Sequence, residues 1–247
     1  MIMIAGPCAI ESANDIKQIA KELSNYDTNI ILRGGCWKPR TRPDSFQGLG
    51  DIGVDMLVSA YEEHQLNGCC VEIMDKAHLS YIAYKYLNKN IILQIGARNM
   101  QNFELLKTVG SFAEQSGFTV LLKRGFGNTI DEVCGARDYL KSNNVILCER
   151  GIRTFSDSSR FTLDLAAIPI LQQKTGCKVI VDPSHAAGDK NLVSKLAQAG
   201  IAAGADGLEI EVRSMFDKCP RQCDDKQALP IDEFYKMAYK CSQIDNL

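Results

Sequence analysis

A chain of 247 residues, 45% hydrophobic and 23% charged with only 7 prolines, has the composition of a folded globular protein with a large core, which excludes disordered and fibrous classes. Its 28 basic and 30 acidic side chains leave a formal net charge of -2, so no global field favours nucleic acid or a membrane surface, and an anion site must be a local cluster. No apolar run approaches the roughly 18 residues of a membrane span, and "MIMIAGPCAIES" has no basic n-region, so the expected location is cytoplasmic and the ten cysteines are expected as reduced thiols.

In chain order, short β-branched or apolar runs alternate with longer segments of helical period. The run "MIMIAG" leads into a helix from about Asn14, and "NIILRG" into a loop and then a helix from about Gly53. "CVEIMD" precedes a helix from Lys76, "NIILQIG" one from Asn102, and "TVLLKRG" one from Thr129. "NVILCERG" is followed by a helix expected near Ser158, "KVIVDPS" by one from Asp189, and "GLEIEV" by a long loop and a helix from Pro230. Asn14, Asn102, Thr129 and Asp189 have the side chains of helix caps. The strands read as continuous apolar runs, as parallel strands buried on both faces do. Eight such units in this length predict an α/β protein, a single (β/α)8 TIM barrel over residues 1–247 with no appended regulatory domain.

Chemistry in that fold sits at the C-terminal strand ends, so polar residues there carry weight. Strand 1 ends in Cys8 and Glu11, strand 2 in Arg33 and Lys38, strand 3 in Glu72 and Asp75, and strand 4 in Arg98. Lys123 and Arg124 follow on strand 5, Glu149, Arg150 and Arg153 on strand 6, Asp182 and His185 on strand 7, and Glu209 and Glu211 on strand 8, with Asp224 in the next loop.

Sorted by chemistry, two sets emerge. Arg33, Lys38, Arg98, Lys123 and Arg150 come from five consecutive strands and would converge on one mouth, which suits a ligand with several negative charges such as a carboxylate plus phosphate. One such cation alone reads as a solvated rim charge. Cys8, His185, Glu211 and Asp224 become neighbours only if the barrel closes, and together offer a mixed N/O/S site for one divalent ion, Mn2+, Fe2+, Co2+ or Zn2+. His185 alone is equally well read as a loop histidine bonded to Asp182, and His64 and His78 read as structural. Cys36, Cys69, Cys70, Cys134, Cys148, Cys177 and Cys241 read as small buried hydrophobes, and Cys219 with Cys223 is a weak zinc pattern.

The blocks "AGPCAIES", "RGGCWKPRT", "SFQGLG", "IGARNMQN", "LLKRG", "LCERGIRTF", "VDPSHAAG" and "ADGLEIEV" closely resemble, in the family's order and over essentially the whole chain, the 3-deoxy-D-arabino-heptulosonate 7-phosphate (DAHP) synthases. The likeness is to the short, barrel-only type I form. It implies a transferase that condenses phosphoenolpyruvate with erythrose 4-phosphate as the first step of the shikimate pathway to aromatic amino acids. Carried over residue by residue, it implies Cys8, His185, Glu211 and Asp224 as metal ligands, and Arg33, Lys38, Ala97, Arg98, Lys123 and Arg150 around phosphoenolpyruvate. Lys38, Pro39, Arg40 and Thr41 would meet erythrose 4-phosphate. Lys38 and Lys123 are candidate proton donors, and Glu72 a candidate to orient water.

The alternative is a 3-deoxy-D-manno-octulosonate 8-phosphate synthase, or a side-pathway relative using another aldose phosphate. Lys-Pro-Arg-Thr at 38–41 favours the heptulosonate branch, and Cys8 favours a metal-dependent enzyme. Arg42, Asp44 and Arg213 depart from the family pattern. A Schiff-base aldolase using Lys123 and a non-catalytic barrel are the readings from other classes. The resemblance further implies a homo-oligomer, dimer or tetramer, and feedback control through a separate partner such as a chorismate mutase.

Overall fold

Strands flanked on both faces need apolar side chains at every position, and the eight runs supply them. In the computed structural model, which describes residues 1–39, 42–216 and 222–245, they form β1 (Ile2–Gly6), β2 (Ile31–Arg33), β3 (Cys69–Glu72) and β4 (Ile91–Ile95), then β5 (Thr119–Lys123), β6 (Val145–Glu149), β7 (Lys178–Val181) and β8 (Gly207–Arg213). Each pairs parallel with the next, and β1 pairs with β8 from Ile2↔Gly207 to Gly6↔Glu211, which closes the barrel. A two-residue β9 (Leu229–Pro230) extends β8 outside the ring.

Around it lie α1 (Ala13–Ser24), α2 (Asp51–Glu63), α3 (Lys76–Tyr86), α4 (Phe103–Ser116) and α5 (Ile130–Leu140), followed by α6 (Ala167–Thr175), α7 (Pro183–Ala187), α8 (Lys190–Ala202) and α9 (Ile231–Asp245). Asn102, Thr129 and Asp189 cap α4, α5 and α8 as expected, Thr129 through a full capping box with Glu132. α1 is capped by Ser12, whose hydroxyl accepts from the Asp15 N–H, rather than by Asn14.

A second expectation fails. No helix starts near Ser158; residues 151–166 form a loop held by an Ile152↔Thr162 bridge, and α6 begins at Ala167. The serines there bond to neighbouring loop atoms, Ser156 to Ser158 and Ser159 to the Phe161 carbonyl, while Asp164 accepts from the Ala167 N–H and supplies the real start signal. The short α7 was not foreseen either; Asp182 caps it and Pro183 occupies its first turn.

Side-chain alternation explains where the site lies. Cys70, Ile92, Leu121, Cys148 and Ile180 pack with Ile4 and Ile146 as the apolar floor inside the barrel. Two residues on, the same inward face carries Glu72, Gln94, Lys123, Arg150 and Asp182. Outward neighbours such as Leu32, Val71, Leu93 and Leu122 join the layer under the helices. Among the described residues no helix is long and apolar enough to cross a membrane.

Candidate active site

The barrel mouth holds a cavity of about 430 Å³, within the usual range for small-molecule sites. All five cations of the first set line it, as do Glu72, Ala97 and Pro39. Arg40, Thr41 and Cys219 lie outside the described residues.

These charges are not equivalent. Arg33 places Nε 3.3 Å from Glu209 and Nη1 3.0 Å from Glu211. Lys123 Nζ lies 2.5 Å from Asp182 and 2.9 Å from Glu209. Burial works against the Lys123 ammonium, but those two carboxylates outweigh it and hold its pKa above the ordinary lysine value. Lys38, 8% exposed, donates to the Cys8 carbonyl at 2.9 Å and reaches its Sγ at 3.3 Å. Arg124 and Glu149 have the opposite parity, point out of the barrel and pair with each other at 2.8 Å, Asp164 completing the group.

At one side of the cavity the donor atoms of Cys8, His185, Glu211 and Asp224 all lie within 4.8 Å of one another. Each is held by its own partners. Asp182 accepts the His185 backbone N–H at 2.9 Å and contacts Nδ1 at 2.6 Å. With Nδ1 donating, Nε2 turns its lone pair towards Glu211 Oε1 at 3.4 Å and Asp224 Oδ2 at 4.0 Å. Gln227 donates to Glu211 Oε2 at 2.6 Å, and the Glu211 N–H donates to Ser184 Oγ at 3.0 Å. Asp224 sits in the left-handed region at φ 45° and takes a 3.2 Å bond from Arg160. Burial pushes the Glu211 and Asp224 pKa values up, yet the surrounding cations win and both are lowered. Lone pairs from sulfur, nitrogen and two carboxylates converging on one point fit a divalent cation, which would relieve their mutual repulsion.

Sequence reasoning missed several participants and gave Cys223 only a weak zinc pairing with Cys219. Cys223 Sγ lies 3.0 Å from Cys8 Sγ; its bond to Cys8 lowers its pKa despite burial, and the same contact raises that of Cys8. Gln227 and Arg160 follow no strand and carried no signal. Phe126 and Phe161, which sequence reasoning did not single out, line the cavity. Of the three departures, Arg42 lines the cavity, Asp44 is exposed, and Arg213 pairs with Asp225 at 2.8 Å away from it.

The loop bearing Lys38 is steadied by Trp37, stacked on His78 with centroids 3.9 Å apart and planes at 6°. His78 Nδ1 accepts the Met74 N–H at 3.3 Å. Burial lowers the His78 pKa from the ordinary 6.5, Asp75 opposing. A histidine depressed in the folded state adds stability that is full above the unfolded pKa and fades as pH falls through the folded one. Emission from the single tryptophan is therefore expected to drop below about pH 6.5 as the imidazolium forms. His78→Asn should abolish that step, and an unchanged profile in the variant would disprove the coupling.

The DAHP synthetase I family model matches residues 1–247. This chain belongs to that family. Phospho-2-dehydro-3-deoxyheptonate aldolase of Thermotoga maritima is 40% identical over 245 residues, 98% of this chain and 69% of that protein. Its crystal structure superposes with a TM-score of 0.88 at 38% identity, covering 99% of this chain and 69% of that one. A truncated form of the 3-deoxy-D-arabino-heptulosonate 7-phosphate synthase from the same organism gives 0.84 at 35% identity, covering all of this chain and 87% of that one. A 2-dehydro-3-deoxyphosphooctonate aldolase of Desulfosudis oleivorans is more distant, at 27% identity over 253 residues, 94% of this chain and 86% of that protein. Within this DAHP synthetase I member, the heptonate likeness exceeds the octonate one in identity, in agreement with Lys-Pro-Arg-Thr at 38–41.

Proposed function

We propose that the protein joins phosphoenolpyruvate to erythrose 4-phosphate and water, giving 3-deoxy-D-arabino-heptulosonate 7-phosphate and inorganic phosphate. The observation that carries this reading is the meeting, in one cavity of a family barrel, of five strand-end cations with a four-donor S/N/O cluster. The cations supply charge for the carboxylate and phosphate of phosphoenolpyruvate, each contact to an oxyanion adding about 1.5–3 kcal/mol. The N–H of Ala97, at the turn after β4, is a further donor to that anion. Lys38, Pro39, Arg40 and Thr41 are assigned to the sugar phosphate.

Cys8, His185, Glu211 and Asp224 would hold a divalent metal, one of Mn2+, Fe2+, Co2+ or Zn2+, which when bound supplies Lewis acidity at the sugar aldehyde. The chain's own groups do the rest. The cations orient phosphoenolpyruvate so that its C3 meets the aldehyde carbon, forming the new C–C bond while positive charge develops at C2. Water, oriented by Glu72, adds at C2. The resulting hemiketal phosphate expels phosphate beside Lys38 and Lys123, which hold its charge and are the candidate proton donors.

A Schiff-base mechanism needs a neutral amine at Lys123. Its ammonium lies instead between Asp182 and Glu209 and is favoured as a cation. A homo-oligomer, dimer or tetramer, and feedback through a separate chorismate mutase belong to the same proposal on the strength of the family resemblance.

Phosphate release is the test. Phosphoenolpyruvate with erythrose 4-phosphate should release phosphate much faster than with arabinose 5-phosphate, and EDTA should stop it, metal restoring it. Faster release with arabinose 5-phosphate would shift the assignment to the octulosonate reaction, and EDTA-insensitive turnover with a borohydride-trapped lysine would overturn the metal reading.

A further inference from the structure

Arg33 and Lys123 enter the cavity already matched with carboxylates; Arg150 does not. It is 4% exposed, no described carboxylate pairs with it, and its Nη1 has no hydrogen-bond partner. Burying a guanidinium in that state is costly unless something else meets its charge. Asp182 acts on it only from beyond pairing distance, and the groups within reach are aromatic: the guanidinium carbon lies 4.2 Å from the Phe161 ring centroid and 5.0 Å from that of Phe126. The rings are 5.3 Å apart and 14° from parallel.

Backbone contacts among the loop after β5, the 151–166 loop and α7 set this geometry. The Phe161 N–H donates to the Ala186 carbonyl at 2.9 Å, and the Phe126 carbonyl accepts from the Arg153 N–H at 2.7 Å. Gly151, at φ +88°, lets the Phe161 segment lie against the turn that follows Arg150, since a Cβ there would come 2.7 Å from the Phe161 Cβ. The same ring pair also faces Arg98 and Arg153, each 5.3 Å from Phe126.

We infer that Phe126 and Phe161 are positioning residues that hold the Arg150 guanidinium for the phosphoenolpyruvate anion in place of a carboxylate. A carboxylate would cancel the charge that the ligand needs. A ring face attracts the cation through its quadrupole and adds no net charge, so Arg150 keeps its full charge and a free N–H for the incoming oxyanion. This inference rests on the reading of Arg150 as a phosphoenolpyruvate ligand.

The measurement is the dissociation constant of phosphoenolpyruvate alone, by calorimetry on metal-loaded protein, beside steady-state kinetics. Phe161→Leu should weaken phosphoenolpyruvate binding and raise its KM by about 2- to 30-fold, with kcat and the KM for erythrose 4-phosphate changed by less than about twofold. Phe161→Tyr, which keeps the ring, should restore wild-type affinity. Phe126→Leu gives a second, independent reading should the first variant fold poorly. Unchanged affinity in the leucine variants, or a tyrosine variant as weak as leucine, overturns the clamp. Wild-type protein that binds phosphoenolpyruvate without turnover would defeat the proposed function and leave the clamp readable; wild-type protein that does not bind it would overturn both.

Discussion

Lys38→Met is expected to lower kcat/KM by about 10²- to 10⁴-fold, the range for loss of a positioned acid or base. Lys38 stands between the two halves of the site. Its Nζ touches the Cys8 carbonyl and sulfur, and its stem lines the anion cavity beside Pro39. Burial disfavours its charge, but the Cys8 and Cys223 sulfurs and Glu72 more than compensate and raise its pKa. It is therefore a cation throughout the neutral range. Methionine keeps the unbranched apolar stem and removes only the ammonium, so Trp37 emission should stay as in the wild type while turnover collapses. Activity within tenfold of wild type would remove Lys38 from the chemistry.

Asp182→Asn should weaken metal retention by about 10- to 100-fold, the usual effect of losing the partner of a ligating histidine. Asp182 spends one oxygen on the His185 N–H and the other on both His185 Nδ1 and Lys123 Nζ. Asparagine can keep the first contact, but its NH2 then faces two donors. His185 would be driven to the tautomer with its proton on Nε2, leaving no lone pair for the cluster. Lys123 keeps Glu209 at 2.9 Å, so the fold should survive. Metal content after dialysis, followed by titration with Co2+ or Zn2+, reads this directly; wild-type retention would show that Asp182 orients nothing the metal needs.

The eight strands were legible because continuous apolar runs bounded by Gly, Asp and Asn have few other readings in this order. The strand-end parity that sends Lys123 inward and Arg124 outward was equally present, although Lys123 was placed in the cation set without it and Arg124 was read only as a residue at a strand end. The loop at 151–166 was misread because its serines imitate a helix cap while no helical apolar period follows them. The contacts of Cys223, Gln227 and Arg160 were illegible for a different reason. These residues reach Cys8, Glu211 and Asp224 from sequence separations of 215, 16 and 64 residues, and only the folded chain creates those contacts. Phe126 and Phe161 went unremarked because residue type says nothing about whether a ring's face meets a hydrocarbon or a guanidinium.

The β1–β8 seam has a consequence for assembly. Cys8 follows directly on β1, while Glu211 and Asp224 come from β8 and the loop beyond it. During synthesis no ion could meet all four donors until the chain had been made as far as Asp224 and the ring had closed, so metal capture at this site would follow barrel formation. By mass action a metal at about 100 times its Kd adds roughly 2.7 kcal/mol to stability. That gain would fall at the strand pairing that closes the ring, and opening of the ring there would be the motion that metal starvation releases first.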